Sequence, residues 1–201
     1  MNSQLPCSRC GFVHQCVCQA YPRLDSKLRV ALLMHENEQR RATNTGKLLL
    51  CSLPQASVHV WSRVSPAESL QILIESERLT PVLIFPSPYS KPLDEQQCQS
   101  SANIENTLFI ILDGTWQEAK KMINKSPWLS ALPHVHLTPH HQSLYTLRRN
   151  QSEGNLCTLE VGLELLNHIN ETTNADTLRD FFAYYMKVYQ ADKSGHALKQ
   201  Q

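Results

Sequence analysis

Glycine is scarce in this chain, with six among 201 residues. Neither a G-x-G-x-x-G run nor a P-loop occurs. The backbone cradles that hold the phosphates of dinucleotides and nucleoside triphosphates are therefore not expected. No apolar run approaches the roughly 18 residues of a membrane span. The first residues, MNSQLPCSRC, carry neither a basic start nor an apolar stretch, which reads against a secretory signal. A cytoplasmic protein with no membrane partner is expected. Charge is also low: 18% of residues are charged and the formal net charge is +1. A near-neutral total reads, at first, against a polyanionic partner. Internal repeats and low-complexity tracts are missing too. The 41% of hydrophobic residues is enough for a sizeable core, and the length suits one ordinary domain.

The charge that is present is unevenly spread. Met1 to Arg63 holds eight Lys or Arg against three acids; Val64 to Asp113 holds two against seven; the remainder holds nine against eight. Such asymmetry is compatible with one basic face, so a near-zero total does not exclude nucleic acid.

Four of the seven cysteines lie in the first 18 residues, as Cys7, Cys10, Cys16 and Cys18. A C-x2-C turn supplies two thiolates at once, and four converging thiolates suit tetrahedral zinc. The segment has no core of its own, so metal binding would supply its folding energy. Free thiols or a disulfide pair are the alternatives, the latter without a secretory signal to support it. Cys51, Cys98 and Cys157 are scattered and read as small buried hydrophobes.

Apolar runs of strand length alternate with helical patterns. Leu28 to His35, Ser57 to Ser62, Thr80 to Ser87 and Thr107 to Gly114 read as strands, with the last central and buried. His134 to Thr138 is a further short one. Helices are expected after Thr43 or Asn44, after Ser65-Pro66 (with Glu68 completing a capping box), over WQEAKKMINK, over CTLEVGLELLNHINE and over NADTLRDFFAYYMKVYQ. Ser87 to Asn106 reads as a long loop. The alternation indicates an α/β fold with a mostly parallel sheet. Residues 1–25 are expected to form a zinc-binding module, 26–192 the main domain and 193–201 a tail.

In such sheets ligands bind outside the carboxyl ends of strands. Two ends stand out: Phe85-Pro86-Ser87 and Leu112-Asp113-Gly114-Thr115-Trp116. Asp113 sits at the rim, Gly114 lets the chain turn, Thr115 is placed to cap the next helix, and Trp116 offers a flat face. The plainer reading makes Asp113 a helix cap and Trp116 a core anchor. Arg40, Arg41, Lys120, Lys121, Lys125, Arg148 and Arg149 are suited to phosphates, or to solvent. His134, His136, His140 and His141 lack a companion carboxylate and read as loop or RNA-contact residues rather than metal ligands.

Several blocks, in order, resemble the DTW-domain family, named for an Asp-x-Thr-Trp motif. They are MHENEQRRATNTGKLL, PVLIFPS, LDGTWQEAKKM and LYTLRRNQSEGNLCTLEVGLELL, preceded by the cysteine cluster. The likeness covers roughly residues 5 to 190. One departure is Cys157, where many members carry Ser or another small residue before Thr158.

The resemblance implies a fold related to the SPOUT superfamily, with a C-terminal trefoil knot and a small N-terminal zinc knuckle. It implies a tRNA-uridine aminocarboxypropyltransferase, which moves the 3-amino-3-carboxypropyl group of S-adenosylmethionine to N3 of a uridine, in bacterial relatives that of the variable loop. Asp113, Thr115 and Trp116 would then be catalytic, with Asp113 either the base or a partner of the donor's ammonium. Phe85, Pro86, Ser87, Leu112, Gly114, Leu156, Thr158, Leu159 and Glu160 would bind the donor. Arg40, Arg41, Asn44, Lys120, Lys121, Arg148 and Arg149 would bind RNA, and Cys7, Cys10, Cys16 and Cys18 would hold structural zinc. A SPOUT-type RNA methyltransferase and a non-catalytic zinc-knuckle tRNA-binding protein are the competing classes. A monomer is favoured over an oligomer.

Overall fold

The computed structural model describes residues 5–93, 104–138, 143–145 and 156–199. Among these, six strands form one sheet: β1 (Val30–Met34), β2 (Ala56–Val60), β3 (Thr80–Ile84), β4 (Lys91–Pro92), β5 (Thr107–Asp113) and β6 (His134–His136). Their spatial order is β2-β1-β5-β3-β6-β4, and every neighbouring pair is parallel. Six α-helices surround the sheet: α1 (Gly46–Ser52), α2 (Glu68–Ser76), α3 (Trp116–Lys125), α4 (Pro127–Ser130), α5 (Thr158–His168) and α6 (Thr172–Lys193). A short 3-10 helix spans Glu36–Arg40.

The apolar runs explain the layering. All seven residues of β5 are buried, as are all five of β1. Alternate side chains along these strands enter two different cores. Val30, Leu32, Phe109 and Ile111 pack with α1, α5 and α6. Ala31, Leu33, Ile110 and Leu112 pack with α2, α3 and α4. The result is a helix–sheet–helix sandwich. Gly162 of α5 faces Leu49 of α1 so closely that an added Cβ would lie 2.5 Å from Leu49 Cδ1.

Several helix starts differ from the sequence reading. α2 begins at Glu68 behind Ala67, which makes no side-chain cap bond, so the Ser65 capping box does not form. The first turn of α2 closes on Ala67 O instead, to which Leu70 N and Gln71 N donate. α1 begins behind Thr45, and α6 behind Glu171. Within the expected long loop, Lys91–Pro92 pairs with β6 as a short edge strand. Cys51 is exposed rather than buried, because α1 turns Leu48, Leu49 and Ser52 inward instead. Cys157 is buried as expected.

The N-terminal segment lies on α6. Phe12 and Val17 are buried in the main core, and the Phe12 ring lies 5.4 Å from that of Tyr185. The amides of Val13 and His14 both donate to Asp192 Oδ1, at 2.8 and 2.7 Å. Beyond α6 the chain turns back, and Leu198 N donates to Gln15 Oε1. The knot implied by the resemblance turns on the path between β6 and α5, much of which lies outside the described residues.

Candidate active site

The carboxyl ends of β3 and β5 open into a cleft of about 440 Å³. Its apolar wall is made by Ile84, Phe85, Ile111, Leu112, Leu156 and Val161. Gly114, Thr115, Trp116 and Gln117 line one rim, and Thr45, Tyr145, Cys157 and Thr158 line the other. Apart from Tyr145, the rim residues sit at the starts of α1, α3 and α5. Thr115 caps α3: its hydroxyl accepts from Glu118 N, and its own amide donates to Glu118 Oε2. That is the reciprocal capping box, and it sets the first amides of α3 at the cleft. Trp116 packs beside Phe85, with ring centroids 5.5 Å apart.

Three buried or half-buried carboxylates hold the rim together. The first is Asp113, only 2% exposed. Its Oδ2 accepts from Asn44 Nδ2 and its Oδ1 from Thr158 Oγ1, each at 2.7 Å. Gly46 makes this approach feasible, since a Cβ there would sit 2.8 Å from Asp113 Oδ2. Asn44 in turn accepts from Lys47 N at the start of α1. One carboxylate thus joins the Asn-Thr-Gly, Asp-Gly-Thr-Trp and Thr-Leu-Glu segments.

The second is Glu118. Arg41 donates to both of its oxygens, at 2.7 and 2.8 Å, and also pairs with Glu38. Asn37 Nδ2 donates to Glu118 Oε1 at 3.1 Å. The Arg41 guanidinium, above all, holds the Glu118 carboxyl well below the usual carboxylate range. The third is Glu160, which accepts from Ser143 Oγ, Leu144 N and Cys157 N. It pins residues 143–145 beside the cleft, where Tyr145 OH donates to Thr43 O.

The candidate donor-binding residues divide accordingly. Phe85, Leu112, Gly114, Leu156 and Thr158 line the cleft. Pro86 and Ser87 do not; Ser87 Oγ meets His134 Nδ1, toward β6. Leu159 is buried in the core, and Glu160 is the staple just described. Among the candidate RNA-binding residues, Arg40, Lys120 and Lys121 are exposed, whereas Asn44 is buried on Asp113 and Arg41 is engaged by carboxylates. Arg148 and Arg149, with Cys98, His140 and His141, lie outside the described residues. Sequence reasoning missed Thr45, Gln117, Tyr145 and Val161. Thr45 and Tyr145 had a signal, since each is a polar side chain inside a block already singled out.

The four N-terminal thiols converge. Cys7 Sγ lies 3.7 Å from both Cys16 Sγ and Cys18 Sγ, and Cys10 Sγ lies 3.9 Å from Cys16 Sγ. All four lie within 4.8 Å of one another. A tetrahedral zinc with bonds of about 2.3 Å sets its sulfurs about 3.8 Å apart, so the cluster fits the ion. Amides of Cys10 and then Arg9 lower the Cys7 thiol to about 6. Burial pushes Cys18 up to about 12.

The DTW domain family matches residues 4–190. The chain belongs to the DTW domain family. It is similar to the Drosophila melanogaster protein called tRNA-uridine aminocarboxypropyltransferase 2, with 28% identity over 82% of this chain and 66% of the relative. It is also similar to the Macaca fascicularis protein of the same name, with 27% identity over 83% of this chain and 59% of the relative. This DTW-domain chain therefore spans about three-fifths to two-thirds of the length of those relatives. No solved structure matches it. The Asp-Gly-Thr-Trp turn for which the family is named forms one rim of the cleft.

Proposed function

We propose that this DTW-domain chain transfers the 3-amino-3-carboxypropyl group of S-adenosylmethionine to N3 of a tRNA uridine, with methylthioadenosine as the leaving group and the N3 proton released to solvent. The observation that carries this reading is the cleft. It lies at the strand ends, has the family's defining turn as one rim, and its volume falls within the roughly 300–1,000 Å³ of small-molecule sites.

The lining suits the donor. The apolar wall and the Trp116 face match a purine and a thioether-like chain. The first amides of α3 and the hydroxyls of Thr45, Thr115 and Thr158 match an amino-acid headgroup. The donor supplies an electrophilic methylene beside its sulfonium. The residues of the chain then decide which carbon meets the acceptor, a matter of alignment within the cleft. Asp113 is a positioning residue in this scheme. It is nearly sealed from solvent, and its oxygens hold Asn44 and Thr158. Thr158 lines the cleft and its hydroxyl donates to Asp113, so the carboxylate acts on bound molecules through that side chain.

The cysteine cluster holds zinc in a structural role, since it fastens Phe12 and Val17 against α6 and lies outside the cleft lining. A tRNA substrate implies a cytoplasmic location. Incubation with unmodified tRNA and S-adenosylmethionine, followed by mass spectrometry of the nucleosides, tests the assignment. Aminocarboxypropyl-uridine is the expected product, and a methylated nucleoside or none would overturn it.

A further inference from the structure

We infer that the outer face of α3, continued by a groove at its far end, is a track for RNA phosphates that leads to the cleft. This rests on the tRNA reading above. The track follows one helical row. Gln117, Lys121 and Lys125 are spaced four residues apart and so lie one above another on the same face, with Lys120 and Asn124 forming the adjacent row. Gln117 lines the cleft, whereas Asn124 and Lys125 line the groove. The row therefore joins the two over a rise of about 12 Å.

The groove has a volume of about 430 Å³ and is bounded by Arg63, Val64, Asn124, Lys125 and Pro127. Two tryptophans fix its walls. Trp61 Nε1 donates to Ser126 Oγ at 2.9 Å, and Trp128 Nε1 donates to Ser62 O at 3.2 Å. These bonds cross-link the segment after β2 to the junction of α3 and α4. Arg63 is thereby held across the groove from Lys125.

Charge complementarity selects the occupant. Lys120, Lys121, Lys125 and Arg63 are all exposed, and none has an ion-pair partner among the described residues. The one carboxylate on α3, Glu118, is neutralised by Arg41. A positive face with no opposing acid on its own helix, ending in a walled basic groove, fits a phosphate backbone rather than a neutral ligand. Arg63 and Lys125 thus join Lys120 and Lys121 in RNA binding, while Arg41 supports the helix from beneath.

The test uses Arg63→Gln, Lys121→Gln and Lys125→Gln, singly and combined, with unmodified tRNA titrated at several salt concentrations. Each substitution is expected to weaken tRNA binding and to lower the slope of log affinity against log salt by about 1. Binding of S-adenosylmethionine by the chain alone, read by calorimetry, should match the parent in every case, which also reports an intact fold. A triple variant with the parental affinity and slope, in a preparation whose parent modifies tRNA, overturns the track alone. A parent chain that binds no tRNA overturns the track and the function together.

Discussion

At the scale of single residues, the DTW-domain site is organised by buried carboxylates rather than by exposed ones. Asp113 is the clearest case. A strand-end acid next to a turn reads in sequence as a base, a partner of the donor's ammonium or a helix cap; in the fold its two oxygens accept from Asn44 and Thr158. Hydrogen bonds to a buried charge are worth roughly 1.5–3 kcal/mol each. Asp113→Asn replaces one acceptor with a donor and sets it against either Asn44 or Thr158. We predict a loss of stability of about 2 kcal/mol together with weakened S-adenosylmethionine binding, and the same weakening in Thr158→Val. Calorimetric titration of the donor measures this directly. Parental donor affinity in both variants, with turnover lost only in Asp113→Asn, would restore Asp113 to the role of a base. The partners of Asp113 were not legible from the sequence, because Asn44 and Thr158 lie 69 and 45 positions away and only the fold closes those distances. The Asn-Thr-Gly segment itself was legible as a block, but Asn44 read as an RNA ligand rather than as a buried donor.

At the scale of elements, the alternation of apolar runs made the parallel sheet legible, and β5 stands central and buried as its seven apolar or rim residues imply. Helix ends were less legible. The Thr115 box at α3 forms because Glu118 reaches back to the Thr115 amide. The similar pattern at Ser65 stays unused, because the first turn of α2 closes on Ala67 O, two residues further on. The pairing of the 3-10 helix with α3 through Arg41 and Glu118 was equally hidden, since two adjacent arginines look alike until one is engaged by a carboxylate. That pair has a consequence for pH. The folded-state pKa of Glu118 is depressed by Arg41, so its stabilisation is fully present above the unfolded value of roughly 4.3 and is lost as pH falls through the folded value. Thermal unfolding compared at neutral and acid pH should show a smaller acid loss in Glu118→Gln than in the parent. Equal losses would show that the pair contributes nothing to the pH dependence.

At the scale of the whole molecule, the segment that carries the N-terminal cysteines packs against the C-terminal helix. Phe12 and Val17 enter the main core, and Asp192 holds the intervening amides. No helix among the described residues is long and apolar enough to cross a membrane. Zinc binding is coupled to folding wherever the ion organises a segment without its own core. We predict about one zinc per chain by elemental analysis, as one tetrahedral four-thiolate site requires, and a lowered Tm after chelation. A metal-free chain of unchanged Tm would remove the ion from the account. A formal net charge of +1 coexists with an exposed helix face that carries three lysines and is free of exposed acid. Identifying the nucleoside that this DTW-domain chain makes decides whether its cleft directs an aminocarboxypropyl group to uridine. Unmodified tRNA, S-adenosylmethionine and the full chain should yield uridine carrying the aminocarboxypropyl group at N3, with methylthioadenosine formed in equal amount. A methyl-bearing nucleoside with S-adenosylhomocysteine, or tRNA recovered unchanged, would contradict it.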